Sequence, residues 1–145
     1  CYFPPYPNIW LAKRGAIMIG QQATFFRKAA YNRVNGVRDD FIYRMDTELW
    51  LKMLLDGAEF SVIRKMGGFF RWHGNMKSIN YEGRKAEELE CLKEEYNYGV
   101  SGLQEFIALI AQRIFRLLGG SYYCSVIETL RLRGKSIADI WNKQG

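Results

Sequence analysis

The sequence predicts an α/β domain followed by an amphipathic helical tail. Short apolar runs rich in β-branched and aromatic residues recur at 16–20, 59–64 and 67–72, which is the pattern of buried strands. Between them residues 46–55 carry a helical period, and beyond Asn80 that period takes over the rest of the chain. The expected division is a mixed domain over 1–98 and a helical tail over 99–145.

Each element follows from local chemistry. Residues 1–13 hold the Pro- and aromatic-rich stretch CYFPPYPNIW, which predicts an extended loop. Residues 16–20 predict a strand, and a short helix is expected over 28–34, stopped by Asn35 and Gly36 in left-handed geometry. In the helix over 46–55, Leu49, Trp50, Met53 and Leu54 form an apolar stripe, and Gly57 provides the stop. Asp46 and Glu48 fall in its first turn, where the helix dipole favours negative charge. Strands are expected over 59–64 and 67–72, then helices over 81–98, 103–118, 122–132 and 137–141, with Gly119 and Gly120 breaking the run.

Composition bounds the class. The chain has 145 residues, 48% of them hydrophobic and 15% aromatic, which is enough to build a core and excludes a disordered polyelectrolyte. It opens on Cys1 and reads as part of a longer fold. Cys1, Cys91 and Cys124 are far apart and odd in number, with no paired metal-ligand spacing, so a reducing compartment is expected. The formal charge of +6 suits polyanions such as nucleotide diphosphates, nucleic acid or anionic lipid without choosing among them. No window approaches the ~20 apolar residues of a membrane-spanning helix.

Three segments hold the candidate chemistry: IGQQATFFRKAAYNRVNGVRDDF, YRMDTELWLKMLLDGAEF and FFRWHGNMKS. Singly, each has an ordinary explanation, since an aspartate at a helix start is usually a cap and a lone histidine after a strand usually packs. Their order gives them further meaning. Gln21 or Gln22 with Thr24, Phe25, Phe26 and Arg27 comes first, followed by Gly36 with Asp39 and Asp40. Next come Asp46, Glu48, Leu49, Trp50, Leu51 and Lys52, and the series closes on Phe70, Arg71, His73, Lys77 and Ser78. This ordered set resembles the C-terminal half of bacterial family 2 glycosyltransferases of the Rossmann-like GT-A fold, over roughly residues 14–98.

The resemblance implies an inverting transfer of sugar from a nucleotide-sugar donor to a glycan or lipid-linked acceptor, as in cell-wall or polysaccharide synthesis. It makes Asp46 the catalytic base, taking the proton of the attacking hydroxyl. Gln21, Gln22, Thr24 and Phe25 become substrate-binding residues, together with Arg71, His73 and Lys77. A divalent cation, Mg or Mn, would stabilise the departing diphosphate. In the family it is held mainly by a D-x-D motif, which this sequence lacks, so the nucleotide-binding half is expected outside these residues and the chain alone is expected to be inactive. His73 is the implied metal contributor from this side. Lys52 stands where relatives carry arginine, and Glu48 is expected to play a supporting role.

Arg113, Arg116, Arg131, Arg133, Lys135 and Lys143 fall among the amphipathic helices of the tail. They allow peripheral contact with an anionic membrane, which puts the enzyme in the cytoplasm or on the cytoplasmic membrane face. The competing class is a basic helical binding module for nucleic acid or anionic membrane. The charges alternate with apolar residues and no nucleic-acid motif occurs, so nucleic acid is not an expected partner.

Overall fold

The computed structural model describes residues 7–16, 19–63, 68, 82–99 and 102–135. The α/β, Rossmann-like GT-A expectation is overturned: the described residues are helical and contain no strand. The elements are α1 (Ile9–Lys13), a 3₁₀ turn (Gln21–Ala23), α2 (Lys28–Arg33), α3 (Met45–Leu55), α4 (Glu82–Tyr96), α5 (Leu103–Leu118) and α6 (Ser121–Leu132).

The physical reason lies in what the apolar runs pack against. A short β-branched run becomes a strand only where a neighbour supplies ladder hydrogen bonds. Residues 58–63 have none among the described residues; instead Phe60 meets Trp50 of α3 edge-on, with ring centroids 6.1 Å apart. Ala16, Ile19 and Gly20 also lie outside any strand. Of residues 67–72 only Gly68 is described, and the helix expected over 137–141 lies outside the described residues.

The expected loop over 1–13 is corrected as well. The Asn8 side chain accepts the N–H of Leu11 at 2.9 Å and so starts α1 just after the prolines. Gly15, at φ +68°, ends it, and the N–H of Ala16 returns to the Leu11 carbonyl at 3.0 Å. The other described helices match their expected positions to within two residues. After α2, Asn35 and Gly36 do turn left-handed, at φ 58° and 61°. A Cβ on Gly36 would also strike the Tyr31 ring, so both conformation and space require glycine there.

Helix α3 is central and apolar on more than one side. Leu51 joins Ala12 of α1, Phe41 and Leu92 of α4 in one buried cluster. Leu49, Trp50 and Met53 form a second, covered by Tyr31, Val34, Val37 and Phe60. Helix α5 touches this body by a narrow strip, where Ala108 packs on Leu11 and Ala16 and the Gln112 amide donates to the Ala16 carbonyl. Helix α6 folds back on α5.

Candidate active site

The entrance to α3 is organised by a residue from another helix. Glu88 of α4 is buried, and its carboxylate accepts three consecutive backbone N–H groups. Oε1 takes Ile42 at 2.9 Å, and Oε2 takes Tyr43 at 3.0 Å and Arg44 at 2.8 Å. Charge-assisted bonds of this kind are the strong ones. The Arg44 guanidinium adds a bond from Nε to the Lys85 carbonyl, at 3.3 Å. The loop before α3 is thus fixed to α4, and with it the orientation of the first helical turn.

Asp46 sits in that first turn, half-buried. Its Oδ1 accepts the N–H of Thr47 at 2.7 Å, while Oδ2 has no hydrogen-bond partner among the described residues. One oxygen is therefore restrained and the other is without a partner among the described residues. The residue lines a cavity of about 270 Å³, together with Arg44, Thr47, Trp50, Tyr98 and Gly15. The indole N–H of Trp50 is buried without an acceptor among the described residues.

Tyr98 reaches the cavity because the chain turns sharply after α4. Asn97 is left-handed at φ 51°, and the Gly99 N–H donates to the Lys13 carbonyl at 2.6 Å, which draws the turn onto α1. Burial pushes the Tyr98 hydroxyl above its ordinary range; Arg44 opposes the shift and Asp46 adds to it. Tyr98 is thus a neutral hydrogen-bond donor at neutral pH, beside a carboxylate and a guanidinium.

Behind Asp46 lies a buried polar group. Glu48 is fully buried and takes the Tyr96 hydroxyl at 2.7 Å and the Lys52 ammonium at 3.1 Å through Oε1. Lys52 also donates to the Gly36 carbonyl at 2.6 Å. Lysine suffices here because the contact is a point charge on one carboxylate oxygen and one carbonyl. Burial, and then the bond to Glu48, push the Tyr96 hydroxyl well above its usual value. Glu48 thus ties α3 to the end of α4, and through Lys52 to the turn after α2.

The other sequence candidates are placed elsewhere or not described. Gln21 and Gln22 lie in the exposed 3₁₀ turn, and Phe25 is exposed beyond it. Thr24 donates its hydroxyl to the Gly20 carbonyl at 2.7 Å. None of these four lines the Asp46 cavity, although Ile19, just before them, does. The backbone at Gln22 lies close against Gly68, where any Cβ would collide with the Gln22 carbonyl. Arg71, His73 and Lys77 lie outside the described residues. Asp40 pairs with Arg38, which holds its carboxyl below the usual range and also binds Glu95.

The cavity is a poor cation shell. Asp46 is its single carboxylate and Arg44 stands on the same wall, and no group of three or more His, Cys, Asp or Glu among the described residues could hold a metal ion. No protein-family model, curated protein or solved structure matches the chain.

Sequence reasoning missed Glu88 and Tyr98. Glu88 stands in the acidic run EELECLKEE, where nothing local separates a solvated carboxylate from a buried one. For Tyr98 the one available signal was the Asn97–Gly99 pair, whose preference for left-handed backbone marks a chain reversal.

Proposed function

We propose that this chain carries the acceptor-activating part of an inverting nucleotide-sugar glycosyltransferase, with Asp46 as the base. The observation that carries the proposal is the Asp46 carboxylate on a cavity wall, with Oδ1 taking the Thr47 N–H and Oδ2 without a partner among the described residues. The ordered likeness from Gln21 to Ser78 is what first singles out Asp46, and the proposal rests on the site rather than on the sheet architecture which that likeness implied. Typical small-molecule pockets run from about 300 to 1,000 Å³. A volume near 270 Å³ suits one sugar-sized group and not a whole nucleotide sugar. The diphosphate half of the reaction therefore belongs to residues other than these.

In this reading an acceptor hydroxyl lies against Asp46 Oδ2. As its oxygen bonds to the anomeric carbon, the bond to the diphosphate breaks and the hydroxyl proton passes to Asp46. Tyr98 and Arg44 donate hydrogen bonds to the acceptor's other oxygens, and Trp50 offers an apolar wall. Asp46→Asn in the complete enzyme keeps the shape and removes the base, so turnover should fall by about 10³-fold with folding and donor binding retained. Turnover within tenfold of the parent would refute the assignment.

A second reading, a helical binding module, is favoured by one observation: the regular elements among the described residues are all helices, and apolar side chains of α5 and α6 are exposed. In that case Asp46→Asn changes no ligand affinity.

A further inference from the structure

Helices α5 and α6 break the usual relation between polarity and burial. On α5, Phe106, Ile110, Ile114 and Leu117 are 61%, 41%, 47% and 65% exposed, and their spacing puts them on one face. On α6, Tyr123, Val126, Ile127 and Leu130 repeat the pattern at i, i+3, i+4 and i+7 and are likewise exposed. Exposed apolar side chains gathered on one face of each helix mark an interaction site. Among the described residues no helix is long and apolar enough to cross a membrane.

The charges say what covers the face. Residues 103–135 carry five basic side chains against two acidic ones. Of the two, Glu128 is half-buried and already paired with Arg131. Arg113 lies seven residues after Phe106 and four before Leu117, which puts it on the border of the α5 face, and Arg131 follows Ile127 by four on α6. Arg113, Arg133 and Lys135 are exposed and make no ion pair among the described residues. An apolar stripe beside exposed cations, three of them outside any ion pair among the described residues, fits a layer whose interior is hydrocarbon and whose rim is phosphate. A second copy fits less well, because it would bring the same positive rims together.

We propose that the apolar face of α5 and α6 docks on the surface of an anionic bilayer, with Phe106, Ile110, Ile114 and Leu130 entering the acyl boundary. Arg113, Arg131, Arg133 and Lys135 pair with the headgroup phosphates. This does not depend on the sugar-transfer reading, and its test uses no activity.

The test is co-sedimentation of the whole chain with phosphatidylcholine vesicles, with and without roughly 30% phosphatidylglycerol, at low and high salt. Binding should require the anionic lipid and weaken as salt rises. The double change Ile110→Glu with Ile114→Glu should lower partitioning more than about tenfold at unchanged helical circular dichroism. Arg113→Gln and Arg133→Gln, which leave the apolar face intact, should each lower it about fivefold. Failure of the parent chain to bind anionic vesicles would overturn the proposal. So would equal binding to neutral vesicles, or a dimer in sedimentation equilibrium that the double change dissociates without any effect on vesicle binding.

Discussion

The body built from α1, α3 and α4 and the pair α5–α6 draw on similar residues and use them in opposite ways. In the body carboxylates are inside: Glu48 and Glu88 are buried, each held by donors from another element. In the pair apolar side chains are outside, and among the described residues Ala108, its neighbour Ala111 and one amide bond join it to the body. A buried charge is tolerated only when it is satisfied, and an exposed apolar face persists only where something covers it. The first arrangement finds its donors within the chain, fully at Glu88 and through Oε1 alone at Glu48, whose Oε2 has no partner among the described residues. The second, on the docking proposal, is completed by the bilayer surface. Stability should therefore be concentrated in the body, and binding in the pair.

The sharpest way to break that contrast is Glu88→Ala. It leaves three consecutive N–H groups without their acceptor and should cost about 3 kcal/mol, read as a lower urea midpoint at unchanged slope. A loss below 1 kcal/mol would mean that α4 does not hold the entrance to α3.

Tyr96→Phe should cost less, about 1–2 kcal/mol, by removing one donor from Glu48. It also carries a pH signature. The folded state holds the Tyr96 proton more tightly than the unfolded chain, whose ordinary value is 10.0, so the unfolded state ionises first. The stability this contributes is complete below that value and is lost as pH rises beyond it. The Phe variant should lose stability less steeply above pH 10 than its parent, retaining the share that comes from Tyr98, whose proton is held in the same direction. Identical alkaline profiles would contradict the buried Tyr96–Glu48 contact.

The smallest effect is expected in the pair. Ile110→Glu changes a side chain that is 41% exposed and should lower stability by under about 0.5 kcal/mol. A loss of several kcal/mol would show that the α5 face is covered by this chain itself, and the contrast between the two regions would disappear.

The helices were legible because their apolar spacing and their stops are local. Residues 103–118 and the Asn35–Gly36 turn came directly from that signal. The strands were not, because a run such as residues 59–64 records burial without recording its partner, and here Phe60 packs on the Trp50 ring instead of pairing in a ladder. The start of α1 was hidden by the prolines before Asn8, although Asn8 is itself a capping residue. At the candidate site, Asp46 was found through the ordered series of residues around it. Its wall was not, since Tyr98 and Gly15 meet only through a chain reversal that brings distant residues together.

The three N–H groups of Ile42, Tyr43 and Arg44 form the kind of concave backbone cradle that elsewhere captures phosphate. Here the cradle is occupied by the chain's own carboxylate. Glu88 acts as a built-in anion that an incoming diphosphate would have to evict from a buried site, leaving a carboxylate without donors. The mouth of α3 is therefore closed to phosphoryl groups by a charge of the chain's own.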